Sequence, residues 1–517
     1  MKTTLYTLFS IFFIGSSLAQ SVNTEVLDFN NVDATVSDGG VFFNYASSGL
    51  PGYSIPSGSQ SHTIFAMSMW YGGVDANGQL KLSAQKYDPL SDQFKGPLSA
   101  DGNALPDQSG SWNNAIFPVT KGEIIAHQAN YATPGYVLPS NLANWPAHGD
   151  ISYAQDFYLA PFVDVDGDGI YNPMSGDYPC IRGDQAVYVI MNDKGGVHQS
   201  GGDPIGIEMH YMFYEYTAPA DIENTTFVHG KIINRGTQTL HDFKVSVFLD
   251  GDIGYYNDDY FASDSTRNLM YFYNGDNFDE DAIGMVGYSA APPATGIVSL
   301  TNDFESIGRT DAIEHTAVGY WNLMNGMDIT GTPWMNSVTM NPTSFAYASD
   351  PSSLTEFDSE AAQANPPGDR HGIATMDFGV FTPNAEIEFD YAVIYNRDMV
   401  SNLDNATGLG NVADIVQSFF DATVVDDCIS NPVGLVELPQ VNFSMYPNPS
   451  NGQFTLSIGT DFSTAEIEIY DLSGRNVLER TELNSKESNI ELKESTGVYL
   501  LHLVVDGQQA VKRIIVE

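Results

Sequence analysis

Cysteine is almost missing from this chain: of 517 residues only Cys180 and Cys428 carry a thiol. A disulfide-dense scaffold is thereby excluded, and a single bridge between the two is open but not required, because distant cysteines can pair without having to. Basic residues are also scarce, with 20 Lys and Arg against 65 Asp and Glu and a net charge of −45. Such a field repels phosphate backbones and anionic lipid, so no nucleic acid is expected as a partner. It suits water rich in salt or divalent ions, which screen or neutralise carboxylates.

Long apolar runs are missing as well. The block from Leu5 to Gly15 is shorter than the roughly 20 residues that span a bilayer, and no transmembrane segment is expected. The common catalytic signatures are equally absent: no H-E-x-x-H, no G-x-S-x-G, no Gly-rich phosphate loop, and neither cysteine in a nucleophile motif. Ser83 to Lys86 fits S-x-x-K, yet it sits in an apparent strand without the companion elements. The histidines are scattered, with His127, His148 and His229 far from any other at ligand spacing and His210 inside an alternating strand.

What is present begins with export. Lys2, the apolar block and the small-residue run Ser16 to Gln20 read as a secretory signal peptide, residues 1–19, cleaved after Ala19. Residues 20–428 then read as one long β-rich extracellular body of β-sandwich type, with room for two subdomains meeting near 160–205. Ile207, Met209, Tyr211 and Phe213 alternate along one strand face, and a strand is expected over 385–398. Residues 225–252 read as two strands around an Asn234-Arg235-Gly236 turn, with Val245, Val247 and Leu249 facing a core. A short helix is predicted over 410–424, where Val412, Ile415, Val416 and Phe419 recur at helical spacing. A proline-bearing linker spans 429–440, and residues 441–517 form six or seven strands, a small Ig-like β-sandwich. The tail holds 6 bases and 11 acids while residues 20–441 hold 13 bases and 54 acids, so the extreme acidity belongs to the body.

The acidic loop 164–177 is the clearest candidate site. In "DVDGDG" the carboxylates of Asp164, Asp166 and Asp168 alternate with small residues, and Gly167 and Gly169 let the backbone curl until the oxygens converge. A hard cation taking six to eight oxygens suits that arrangement, with the Ile170 carbonyl as a further ligand, and calcium is the expected ion. The loop is not an EF-hand: position twelve is Ser175 where a bidentate Glu would stand, so Asp177 or Asp184 is expected to close the shell. The same pattern also serves an Asx-turn loop without an ion. A second acidic group, Asp250, Asp252, Asp258, Asp259 and Asp264, follows a strand. It reads either as another calcium site or as an exposed negative rim.

The tail resembles the type A C-terminal sorting domain of type IX secretion cargo. The resemblance rests on "YPNPSNG" (446–452), "IYDLSGR" (469–475), "GVYLLHL" (497–503) and the closing "KRIIVE", in order and at the usual separations. It implies that the secretion machinery is a partner through this domain, that the passenger crosses the outer membrane, and that the tail is then generally removed. Stretches at 61–87, 159–179, 267–277 and 365–372 are similar to exported proteins of uncharacterised function that carry the same tail.

Trp70, Tyr71, Trp112, Tyr131, Tyr136, Trp145, Trp321 and Trp334 lie among Gly, Asn and Pro, as in loops that present flat faces to carbohydrate, although sandwich cores use the same residues. The reading reached is a secreted or cell-surface, calcium-stabilised, non-catalytic protein serving adhesion, matrix or glycan interaction. The competing reading is a glycan-active hydrolase whose acids hide among structural carboxylates.

Overall fold

The body's central strands bury side chains on both faces, and the architecture follows from that. All eight positions of Gln185–Asn192 are buried. Val187, Val189 and Met191 join one apolar core, while Ala186, Tyr188 and Ile190 join another. A strand apolar on both sides needs a layer above and a layer below.

In this computed structural model the described residues are 21–423, apart from 108, 219, 283, 312–314, 354 and 399, and 443–516, apart from 449, 460–461, 472–474, 494–495 and 506–507. The expected signal peptide, the linker and Cys428 lie outside them. The chain divides into two compact units, Met1–Pro432 and Val433–Glu517.

Two large antiparallel sheets dominate the described part of the first unit, which also holds a four-stranded sheet of Thr24–Leu27, Asp33–Ser37, Tyr53–Ser54 and His62–Ile64. The nine-stranded sheet runs Phe94–Lys95, Gln185–Asn192, Ile207–Glu215, Thr226–Asn234, Glu386–Asn396, Ala294–Ser299, Leu269–Asn274 and Asp259–Asp264, with Ile116–Thr120 also paired to Gln185–Asn192. The six-stranded sheet runs Ser306–Thr310, His371–Phe381, Leu240–Asp250, Ala66–Asp75 and Val41–Phe42, with Leu80–Ala84 on Ala66–Asp75. Between them lie Met67, Met69, Val245, Val247, Leu249 and Met376 from one sheet against Met209, Tyr211, Phe213, Phe389 and Tyr391 from the other. Each such side chain contributes about 1.5–3 kcal/mol on full burial. Residues on both sides of 160–205 share the larger sheet.

Helices close the outer faces. The helix Asn402–Thr423 lays Ala406, Leu409, Val412, Val416 and Phe420 on the outer face of the larger sheet. It starts eight residues before the expected 410 and is not short. Gly408 lowers intrinsic helix propensity, yet a Cβ there would lie 2.4 Å from Asn396 Nδ2, so the helix packs closely at this glycine. On the smaller sheet, Ala317–Met324 covers Trp70, whose ring stacks on Phe248 and meets Tyr320 edge-on.

One expectation is corrected in topology. Both strands around Asn234-Arg235-Gly236 exist, but they do not pair with each other: Thr226–Asn234 belongs to the larger sheet and Leu240–Asp250 to the smaller. Arg235 explains the crossing, because its guanidinium turns inward to Glu208 at 3.0 Å and Asp156 at 2.8 Å.

The scarce bases are spent inside. Lys95, Arg182, Arg235, Lys244 and Arg370 are buried, and Lys95 meets Asp38 at 2.8 Å with both side chains shielded from water. Among the body's bases only Lys121 and Lys194 are exposed. Cys180 is buried and disulfide-bonded.

The second unit holds seven strands in two sheets. Phe443–Tyr446, Gln453–Ile458 and Glu487–Glu491 form one, and Asn476–Glu482, Ala465–Asp471, Gly497–Val505 and Gln508–Val516 form the other. Leu456, Ile467, Ile469, Leu501 and Leu503 fill its core. Its described bases Arg475, Lys486, Lys493 and Lys512 are all exposed.

Candidate functional site

Several places among the described residues bring chemistry-bearing side chains together. The first is the acidic loop, carried between the paired strands Phe162–Val163 and Tyr178–Pro179. Asp164, Asp166 and Asp168 each offer an oxygen within 4.8 Å of the others, as their spacing predicts. Gly167 and Gly169 take φ of 75° and 78°, the left-handed region that the curl needs. Asp164 accepts from the N–H groups of Gly167 (2.8 Å) and Gly169 (2.7 Å), and the Gly169 bond leads in holding its carboxyl below the usual range. Asp168 accepts from Ile170 N–H at 2.7 Å. Each carboxylate oxygen keeps a second lone pair, so these bonds leave the group able to take a cation.

Asp177 stands elsewhere in the loop's economy of bonds. Fully buried, it accepts from Val165 N–H and Asn172 N–H, both at 2.8 Å, and ties the loop across its neck. It does not join the three converging carboxylates. Asp184 accepts from Thr217 N–H and faces Lys121 at 3.5 Å. Ile170 has an exposed side chain.

The second place is the end of the smaller sheet. Asp250 closes its strand and lies in register with His371, which lies in register with Thr310 on its other side. His371 Nδ1 donates to the Thr310 carbonyl at 2.9 Å, and its Nε2 faces Asp369 at 3.2 Å and Asp250 at 3.6 Å. Tyr87 hydroxyl donates to the other oxygen of Asp250 at 2.7 Å. Asp250, Asp369 and His371 converge within 4.8 Å. Asp252 and Asp259 are buried behind them, and Asp250, Asp252, Asp258 and Asp259 each carry one buried oxygen with no hydrogen-bond partner.

Electrostatics confirm the crowding. Burial pushes Asp250 up to about 6 against the pull of His371, and it pushes Asp258 up to about 7. Burial and the charges of Asp250 and Asp259 drive Asp252 well above the carboxylate range, and burial with Asp258 does the same to Asp259. For His371 burial acts downward, but Asp369 and Asp250 outweigh it and the ring is raised. The expected rim is therefore not exposed at Asp250, Asp252 or Asp259. Asp264 stands apart, accepting from Thr266 and Arg267.

Sequence reasoning missed Asp369 and His371 as part of this group, because they are more than a hundred residues from Asp250. The available signal was "GDRH", in which Asp369 and His371 fall at alternate positions at the start of a strand and so share a face.

The third place is a cleft of about 340 Å³ lined by Arg309, Thr310, Asp311, Asp328, Ile329 and Trp334. The indole lies against the edge strand Ser306–Thr310 because residue 308 is glycine: a Cβ there would sit 2.5 Å from Trp334 Nε1. Of the other aromatic residues singled out, Trp70, Tyr71 and Trp145 are core, while Trp112, Tyr131, Tyr136 and Trp321 are half-buried.

A serine, a histidine and an aspartate also meet at Ser200, His198 and Asp92, all buried. Ser200 hydroxyl donates to Asp92, and the His198 nitrogens face the carbonyls of Leu82 and Asp193. His198 Nδ1 also lies 3.5 Å from Asp92, so the carboxylate and not the imidazole holds the Ser200 hydroxyl, and the arrangement braces loops.

Comparison with known proteins places the tail. Residues 444–517 match the secretion system C-terminal sorting domain. The chain carries the sorting tail of type IX secretion cargo. It is therefore secreted or attached at the cell surface, and no helix among the described residues is long and apolar enough to cross a membrane. No curated protein matches the chain. Among solved structures, a polysaccharide lyase is similar over 70% of this chain and 37% of its own, at 8% identity and a TM-score of 0.15. A biofilm associated protein, BSP domain, is similar over 100% of this chain and 84% of its own, at 8% identity and a TM-score of 0.15. This cargo chain thus spans little more than a third of that lyase, and superpositions so loose carry no chemistry across.

Proposed function

We propose that the body is a calcium-stabilised, non-catalytic module that engages glycan or matrix outside the cell. The Trp334 cleft carries the reading. A half-buried indole beside Arg309 and two carboxylates offers an apolar face for a sugar ring, with donors and acceptors at its edge for hydroxyl groups. Asp311 is ion-paired to Arg309. Asp328 accepts from Thr330 and Thr332 N–H; burial acts to raise it, but those bonds and the Thr330 hydroxyl hold it below the usual range. A glycosidase acid needs the opposite shift, so Asp328 suits recognition better than proton donation.

Calcium enters this proposal at Asp164, Asp166 and Asp168, where it would stiffen the loop beside the Cys180 disulfide. The test is a glycan array and a hydrolase screen on the secreted chain. Selective binding that falls about tenfold or more in Trp334→Ala supports the proposal. Glycan cleavage lost in Asp328→Asn would replace it with the hydrolase reading, and no glycan or matrix binding at all would refute it.

A further inference from the structure

The carboxylates at the end of the smaller sheet pose a problem that the glycan proposal does not address. Asp250, Asp252 and Asp259 are buried, each with an oxygen that receives no hydrogen bond, and Asp369 joins them from the rim. Buried carboxylate oxygens without donors are retained only where protons or a cation meet them. The imidazole at their centre distinguishes the two.

His371 spends its Nδ1 proton on the Thr310 carbonyl, which leaves Nε2 turned toward Asp369 and Asp250. A backbone carbonyl that accepts from one ring nitrogen and leaves the other for a metal is how metal-ligating histidines are held. The spacings agree. Ligand atoms about 2.1 Å from a tetrahedral ion lie about 3.4 Å from one another, and here Nε2 is 3.2 Å from Asp369 and 3.6 Å from Asp250.

We propose that His371, Asp250 and Asp369, with Asp252 beside them, form a binding site for a divalent metal of the zinc type. Calcium is disfavoured because it takes oxygen ligands almost exclusively, whereas a mixed imidazole and carboxylate set suits zinc. The ligands come from the ends of two adjacent strands, Leu240–Asp250 and His371–Phe381, and from the turn just before the second. Bound zinc pins these strand ends together. It also fixes Thr310, which lines the Trp334 cleft. The site is separate from the acidic loop, and the proposal stands whether or not the body binds glycan.

The experiment uses the full secreted chain, stripped with chelator and titrated with zinc chloride or calcium chloride by calorimetry, with metal content measured after gel filtration. One zinc per chain is expected, undisplaced by millimolar calcium. His371→Gln and Asp250→Asn should each weaken zinc binding at least tenfold, while Asp166→Asn with Asp168→Asn leaves it unchanged. Because either core variant could misfold, zinc X-ray absorption on the unmodified chain gives a second readout, expected to show one imidazole among nitrogen and oxygen ligands. Failure to retain zinc, retention equal in a folded His371→Gln chain, or a coordination shell without imidazole would each overturn the proposal. In that event protons alone neutralise the cluster.

Discussion

The acidic loop and the buried carboxylates at the sheet end place the same residue type in opposite surroundings. Around Asp164 the backbone curls so that its own N–H groups reach the carboxylate, and Asp166 and Asp168 remain in water. Asp252 instead lies buried in the loop that follows Leu240–Asp250, and one of its carboxylate oxygens faces neither donor nor solvent. The loop is therefore a place where a cation adds to a satisfied structure. The sheet end is one where something must replace missing partners. Regular spacing in a sequence reveals the first kind, and burial reveals the second.

The comparison can be broken most forcefully at Asp177, which is buried like the second group but satisfied like the first. Asp177→Ala removes two charge-assisted bonds across the loop's neck, and a loss of about 4 kcal/mol is expected. Urea unfolding should show that loss equally with calcium and with chelator. A loss confined to calcium would make Asp177 a ligand.

A buried base tests the same rule with the charge reversed. Burial holds His62 down to about 4, with the Gln60 backbone acting the other way. Its folded value lies below the unfolded one, so the stability it supplies is complete above pH 6.5 and is lost as pH falls toward 4, by at most about 3 kcal/mol. His62→Gln should flatten that part of the stability profile, and an unaltered slope would show that His62 is not the group responsible.

A smaller effect separates the clusters by sign. Asp252→Asn supplies a donor and removes an acid crowded by Asp250 and Asp259, so in chelator it should raise stability by about 1–2 kcal/mol, and in zinc the gain should disappear. Destabilisation in both conditions would mean that Asp252 is already satisfied. The smallest effect in chelator belongs to Asp166→Ala with Asp168→Ala, under about 1 kcal/mol because both are exposed. That pair should instead abolish any rise in melting temperature on adding calcium, and a melt indifferent to calcium in the unsubstituted chain would contradict calcium at this loop.

Where the sequence was readable, it was through local pattern. The alternation at Ile207, Met209, Tyr211 and Phe213 marked a core face because strand side chains repeat every two residues. The tail was legible through its motif series. Pattern failed where partners are distant. Nothing near Arg235 shows that its strand neighbours belong to different sheets, since the reason lies in Glu208 and Asp156. The first turns of the last helix look unfavourable until Asn396 is seen against Gly408. Asp369 and His371 join Asp250 only when antiparallel register sets His371 beside it, and Trp334 becomes a cleft wall only through the missing side chain of Gly308.

The placement of the bases has an outcome for processing. An endoprotease that cuts after arginine or lysine meets only two exposed basic side chains on the described body, Lys121 and Lys194, whereas the tail shows it Arg475, Lys486, Lys493 and Lys512. A protease of that specificity therefore finds more exposed basic side chains on the described second unit than on the much longer first.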